Sequence, residues 1–302
     1  MNLSRVGILG HPLRSESAAI GAQVETSLKR RGIEVWQRIE WEPADIEAML
    51  PDCDLVIAIG GDGAMLRVAR LCGMVDVPVL GINVGHLGFL TETDPVGLEQ
   101  SLDAVLAGNM WIEERMMIRA EIWRDGDCLR REHALNDIVI GRGASARLVL
   151  LDMYIDGDWA TTYYADALIV STPTGSTAYS LAVGGPILTP ELKTILVVPV
   201  APHLTLDRPL VLSEGVTVEV VVSHERPANV TLTVDGDSIC ELEEDDAVVI
   251  HASEHRSRFV RLRDHNYFYR SLLDRMEPKM PVRRRSDYQS RVRPESKVEG
   301  TL

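Results

Sequence analysis

The sequence predicts a chain in two parts: an α/β domain on a parallel sheet, followed by a mostly β domain. Three observations carry this expectation. Before Trp111, short β-branched runs alternate with stretches whose apolar residues recur at helical spacing, the pattern of βαβ units. After Trp111, strand-like runs follow one another across short Gly/Asp turns. Glycine clusters also stand at the ends of apolar runs, where an open parallel sheet presents its ligand-binding edge.

Taken in order, RVGILG (5–10) reads as a short buried strand. Ile20, Val24 and Leu28 mark one face of a helix, and Gly32 is placed to end it. IEVWQRI alternates as a second strand. Pro43 suits the first turn of a helix running through Ala48-Met49-Leu50. DLVIAI (54–59) is a third strand, AMLRVARL a helix, VPVLGI (77–82) a fourth strand, and residues 96–106 a further helix. In the second part, RMMIRAEIW, LNDIVIG, RLVLLDMYIDG, VTVEVVVS, VTLTVDG and DAVVIHA read as strands. Only residues 176–183 and 268–276 read as helical there. The boundary falls near Gly108, giving domains 1–108 and 109–263. Residues 264–278 are expected to pack back on the first domain.

Composition narrows the class of function. The 302 residues are 45% hydrophobic and 25% charged, the profile of a globular protein. The net charge of −14 disfavours a nucleic-acid partner. The segment 279–302 runs the other way, with seven basic residues against three acidic, and is expected to be a disordered basic tail. No apolar run is long enough for a membrane helix, and MNLSRVGILGHPL lacks the pattern of a secretory signal. Cys53, Cys72, Cys128 and Cys240 are far apart and in no metal-binding spacing, as expected of reduced thiols in a cytoplasmic protein.

The glycines raise the question of function. Gly60-Gly61-Asp62-Gly63 closes the third strand. Glycines let a backbone approach a phosphate closely, and the following helix adds the positive end of its dipole. A carboxylate repels phosphate, so Asp62 makes sense there as a proton acceptor or a cation holder. The tetrad alone equally suits a tight turn with an N-capping Asp. No GxxxxGK[ST] is present and no GxGxxG follows the first strand. Gly141-Arg142-Gly143-Ala144-Ser145-Ala146 lies between two β segments and reads as a turn. Two further glycine-rich stretches are GINVGHLGFL (81–90) and VSTPTGSTAYSLAVGGP (170–186). The second gathers Ser/Thr hydroxyls ahead of Tyr179, a polar cradle for sugar or phosphate oxygens beside a flat ring for a base.

Together these stretches resemble the NAD kinase family over about residues 5 to 270. The matching elements are GGDG, GINVGHLGFLTE, ALND, ADALIVSTPTGSTAYSLAVGGPIL, PVAPHLTLDRPLVL and VDG, in that order. GGDG alone also occurs in lipid kinases and phosphofructokinases; the segment from Ser176 to Pro186 is the specific one. The resemblance implies a Rossmann-like first domain of the phosphofructokinase and lipid-kinase type. It implies an enzyme that moves the terminal phosphoryl group of ATP, with Mg2+ or another divalent cation, to the adenosine-ribose 2′-hydroxyl of NAD.

The resemblance gives Asp62 the role of proton acceptor, flanked by Gly61 and Gly63. It places Asn136 and Asp137 at adenine and ribose. Thr177, Ala178 and Tyr179 fall around the adenine, with Ser180 and Ala182 in the same segment. Asp166 falls at the nicotinamide-side ribose, with Tyr164 just before it. Arg67 and Arg147 are candidate phosphate or nucleotide contacts. No residue is assigned as a metal ligand, and His86 and His203, though inside matching motifs, are expected to be structural. Departures from the family pattern are Asp137 for Glu, Ala64 for Thr, Ala167 for Gly and Asp237 for a frequent Gln. A homodimer or homotetramer is expected. Two competing functions keep part of this pattern. A lipid or sugar kinase of the superfamily would lack TPTGSTAY, and a non-catalytic dinucleotide sensor would lose Asp62.

Overall fold

Short runs of Val, Ile and Leu without polar interruption tolerate burial on both faces, and the parallel sheet forms from them. In the computed structural model, which describes residues 3–10, 15–85, 88–143, 147–225 and 229–276, four strands pair in parallel. They are β1 (Arg5–Gly10), β2 (Glu34–Arg38), β3 (Leu55–Gly60) and β4 (Val79–Asn83), in the order β2-β1-β3-β4. The helices between them are α1 (Ser15–Arg30), α2 (Pro43–Ile46), α3 (Asp62–Met74) and α4 (Leu98–Leu106). On α1 the expected face is buried at Ile20, Val24 and Leu28, and Gly32 follows its end at φ +77°. The helix expected from Pro43 to Leu50 is shorter. Pro43 begins it under a reciprocal Glu42–Asp45 cap, and the chain turns after Ile46. The chain leaves β1 for β2 on one side and β3 on the other, so β1 and β3 flank the point where strand order reverses. Ligands of open α/β sheets bind outside the carboxyl ends of such strands. The Gly60–Gly63 tetrad follows β3 there.

The rest of the chain to Asp264 is nearly all strand. It comprises β5 (Trp111–Arg124), β6 (Asp127–Ala134), β7 (Asp137–Arg142), β8 (Val149–Ile155), β9 (Asp158–Ala165) and β10 (Ala167–Ser171). A 3₁₀ turn (Gly175–Thr177) and α5 (Tyr179–Ala182) interrupt them. Then come β11 (Thr194–Val200), β12 (Leu210–Ser213), β13 (Val218–Val222), β14 (Val230–Val234), β15 (Asp237–Leu242) and β16 (Ala247–Arg261). Three hairpins, β5–β6, β8–β9 and β14–β15, close on Asp-Gly pairs. Asp125, Asp156 and Asp235 have φ near 50°, and the glycines after them 87°, 87° and 91°. Positive φ at both central residues gives the turn whose twist matches paired strands, and Asp-Gly is its preferred sequence. The returning strands β6, β9 and β15 are more polar and exposed than their partners, so periodicity alone did not mark them.

β16 joins the two parts. It pairs antiparallel with β5 along its length and with β13 near its start, and reaches β4 in parallel at Phe259–Val79. One sheet of ten strands results, while β12-β11-β10-β7-β14-β15 form a second, antiparallel sheet. Ile118, Ile138, Leu168, Val220, Leu232 and Ile250 lie in one buried cluster drawn from both sheets. Residues to Asp264 form one compact unit. From His265 the chain forms a second, whose described part is α6 (Tyr267–Met276). The basic segment 279–302, His86 and the turn at 144–146 lie outside the described residues. All four cysteines are free thiols. No helix among the described residues is long and apolar enough to cross a membrane.

Candidate active site

Asp62 is the first helical residue of α3, and Gly61 is the N-cap, which makes no side-chain cap bond. The capping role open to Asp62 from sequence is therefore not the one it has. Its carboxylate turns to the 81–93 loop instead. Phe89 N–H donates to one oxygen at 3.0 Å and Leu90 N–H to the other at 3.1 Å. Gly88 passes so close that a Cβ there would lie 1.8 Å from Asp62 Oδ1. Gly61 and Gly63 differ: a Cβ on either would enter open space, and Gly61 has an ordinary φ of −95°. Neither chain packing nor backbone strain demands glycine at those two positions. What glycine leaves there is room for a group to come up against the main chain at a helix N-terminus.

The loop that grips Asp62 is itself gripped from behind. Arg261, fully buried near the end of β16, donates to Phe89 O at 3.3 Å and Leu90 O at 3.2 Å. The two residues whose N–H groups hold Asp62 thus give their carbonyls to one guanidinium. Arg261 also pairs with Glu92 at 3.1 Å and Glu113 at 2.7 Å, both carboxylates buried. Glu92 accepts N–H bonds from Leu262 and Arg263 at 2.8 Å each, and Arg115 reaches Glu113 at 3.1 Å. Buried charges persist only when paired and hydrogen-bonded, and these are.

A second cleft lies along the face of the antiparallel sheet. About 410 Å³ of it is lined by Asn136, Asp137, Ala178, Tyr179, Thr233 and Asp235, among others. A neighbouring space of about 330 Å³ shares Tyr179 and Thr233 and adds Arg142 and Asp166. Tyr179, 43% exposed, borders both, so its ring face is open to a planar group. Asn136 and Asp137 are placed by Asp235. Its carboxylate accepts N–H bonds from Leu135 (2.9 Å), Asn136 (2.7 Å) and Asp137 (3.2 Å), and Arg70 of α3 stands 3.7 Å away. Arg70 also bonds Asp237 at 2.9 Å, so the helix that opens at Asp62 is tied to this cleft.

The hydroxyls of the 171–180 segment, expected to face a ligand, bond mostly to the chain itself. Ser171 and Thr172 donate to the carbonyls of Asn136 and Leu135, Ser176 to Pro173, and Thr177 to Thr174. A Cβ on Gly175 would lie 2.2 Å from Asn136 O. The cluster therefore locks the turn onto residues 135–136 and holds Tyr179 over the cleft. Among the described residues Ser180 Oγ is buried with no hydrogen-bond partner.

The remaining candidates are more scattered. Asp166, between β9 and β10, bonds Arg142 Nε at 2.9 Å and lines the smaller space. Tyr164 on β9 meets the His203 ring edge-on at 6.0 Å, and its carbonyl accepts from His203 N–H at 2.7 Å. Ala182 ends α5 and is exposed, as is Arg147. Arg67, two turns into α3, stacks 4.4 Å over Trp41 and bonds Glu42 at 2.8 Å, which occupies its guanidinium in this state.

With this geometry in place, comparison with known proteins is decisive. Two family models match, the ATP-NAD kinase N-terminal domain over residues 14–110 and the ATP-NAD kinase C-terminal domain over residues 135–262. The chain belongs to the NAD kinase family. An NAD kinase of Chloroflexus aggregans is 40% identical over 274 residues, 91% of this chain and 99% of the relative. One of Moorella thermoacetica is 45% identical over 213 residues, 70% and 68% of the two chains. Among solved structures, a yeast NADH kinase complexed with NADH superposes with a TM-score of 0.83 at 25% identity. It covers 94% of this chain and 90% of its own. An Archaeoglobus fulgidus NAD kinase in complex with ATP shares the fold, with a TM-score of 0.70 at 24% identity over 89% and 97%.

Sequence reasoning did not select Asp235, Arg70, Arg142 or Arg261. Asp235 was visible only as the Asp of the matching VDG element, with no role attached. Its role needs the turn to lie beside residues 135–137, a contact about a hundred residues long in sequence.

Asp137 is buried, and burial with the Asp235 charge nearby pushes its carboxyl up to about 7. Burial raises Asp235 too, but three N–H donors and Arg70 favour its charged form, so the proton of the pair belongs on Asp137. A folded-state value above the unfolded one contributes stability that is full below the unfolded value, near 3.8. That contribution is lost as pH rises through about 7. Asp137→Asn stays neutral at every pH. Urea unfolding should find the stability of the variant relative to the wild type higher by a few kcal/mol at about pH 8.5 than at about pH 5. A difference independent of pH would contradict the shared proton.

Proposed function

We propose that this chain transfers the terminal phosphoryl group of ATP to the 2′-hydroxyl of the adenosine ribose of NAD, yielding NADP and ADP. The observation that carries the reading is the tie between the two sites through α3. Its N-terminus presents Asp62 beside an open glycine approach, and its Arg70 anchors the loop bearing Asn136 and Asp137. A nucleotide lying in the cleft, with adenine against Tyr179, points its ribose toward the strand ends. Asn136 and Asp137 supply polar contacts for base and ribose, with Thr177, Ala178, Ser180 and Ala182 around them. Asp166 and Tyr164 meet the nicotinamide half. Arg67 and Arg147 are offered to the phosphates; for Arg67 this requires leaving Glu42.

In the reaction the 2′-oxygen bonds to the γ-phosphorus while the bond to the β,γ-bridging oxygen breaks, and the hydroxyl proton passes to Asp62. A backbone N–H on each oxygen holds the Asp62 carboxylate in place for that transfer. Gly61 and Gly63 leave space for the phosphate. Magnesium neutralises phosphate charge. Among the described residues no group of three or more candidate metal ligands lies at the loop, and the cation is assigned to the ATP phosphates as part of the substrate. A cytoplasmic setting agrees with the four free thiols.

The reading includes a homodimer or homotetramer. β9 and β12 are outer strands of their sheets and carry exposed Trp159 and Val211, and Leu204 is 93% exposed. Sedimentation equilibrium should return two or four chains per particle; a monomer at assay concentration would reject this part.

The test of the activity is NADP formation from NAD and Mg-ATP, read with an NADP-specific dehydrogenase. Asp62→Asn should lower kcat by roughly 10²-fold or more, with the calorimetric Kd for NAD little changed. A variant with near-normal kcat removes Asp62 as the base, and no NADP from the wild type removes the function.

A further inference from the structure

Away from the cleft, a bulge in β16 gathers a different set of side chains. In a regular strand, consecutive residues point to opposite faces, so Glu254 and His255 would diverge. β16 instead sets Ala252 against Ile118 and Arg256 against Met116 of β5, inserting extra residues between. Glu254 and His255 thereby both reach His133 on β6, the strand beyond β5. One donor atom from each of the three lies within 4.8 Å of the others. The two imidazole rings are 5.2 Å apart at 70°, and His255 Nε2 is 3.8 Å from Glu254 Oε1.

We propose that His133, Glu254 and His255 form a Zn2+ site, with water completing the coordination. Two imidazoles and a carboxylate suit this cation, whereas Mg2+ prefers an all-oxygen shell. Neighbouring side chains orient the donors. Ser253 Oγ lies 2.9 Å from His133 Nδ1; in the tautomer with the proton on Nδ1 this bond leaves Nε2 for the metal. The same oxygen accepts His255 N–H at 3.0 Å, fixing the bulge. Arg119 holds both Glu254 oxygens at 2.8 and 3.0 Å and donates to His251 Nε2 at 2.9 Å. Among the described residues β6 pairs only with β5, and the metal staples this outer strand to β16 across it. The site shares no residue with the phosphoryl-transfer site and stands independently of that reading.

The experiment titrates the full chain, stripped with a chelator, with Zn2+ against a chromophoric competitor. One equivalent should bind per chain and raise the melting temperature, with Mg2+ failing to compete. His133→Ala and Glu254→Gln should each lose that equivalent. Glu254 is exposed and glutamine keeps its volume, so this variant tests the site even where His133→Ala fails to fold. Ser253→Ala should weaken binding by about tenfold or more. Absence of an equimolar site, or equal uptake by the wild type and Glu254→Gln, would overturn the proposal.

Discussion

One buried cation organises the reactive end of this molecule. Arg261 lies between Glu92 and Glu113 with no exposure, its guanidinium also 5.1 Å from the Phe259 ring. Such a cluster adds little net stability over a well-packed apolar one. Removing one partner, however, leaves a buried charge unpaired at a cost of about 3–5 kcal/mol. The cluster therefore acts as a constraint. It fixes where the 88–93 loop lies relative to β5 and β16, and the loop's two N–H groups fix Asp62. A carboxylate among glycines would otherwise have many rotamers and no fixed aim. Here its orientation is settled by the chain itself, which is what the proposed role of general base requires.

A similar logic repeats in the cleft. Asp235 closes an Asp-Gly hairpin and spends its carboxylate on three consecutive N–H groups, so the Asn136–Asp137 loop has one conformation. The hydroxyls of the 171–177 turn bind that loop's carbonyls from the other side. Arg70 then links Asp235 to α3, and Ser257 Oγ bonds Ala69 O on the same helix at 3.0 Å. Phosphoryl transfer depends largely on positioning and charge neutralisation. This chain devotes its buried polar groups to the first, holding two loops and a helix in register.

Much of this was legible in the residues. Helical patterns placed α1, α3 and α4, and short Gly/Asp turns were expected between the strand runs of the second part. The glycine tetrad pointed to the strand end, and the long match from Ser176 to Pro186 pointed to the family. Polar return strands such as β6 were harder, because an exposed strand owes its conformation to the hairpin partner rather than to its own pattern. The roles of Arg261 and Asp235 were not legible at all. Both act through contacts about a hundred residues or more apart, and a lone Arg or Asp carries no local signature of burial. The Ser/Thr cluster was legible as a polar device, but its bonds turn inward to the chain.

If the Arg261 cluster serves catalysis by way of Asp62, the two residues must be coupled in kcat. A double-mutant cycle measures that coupling, with Arg261→Lys and Asp62→Asn singly and together, each variant confirmed folded. A lysine keeps the charge but cannot fork to Phe89 O, Leu90 O and two carboxylates at once. The account predicts strong coupling. Arg261→Lys should lower kcat by about tenfold or more when Asp62 is intact, and by less than about twofold in the Asp62→Asn background. Equal losses in both backgrounds would show that Arg261 and Asp62 act separately, and the account would fail.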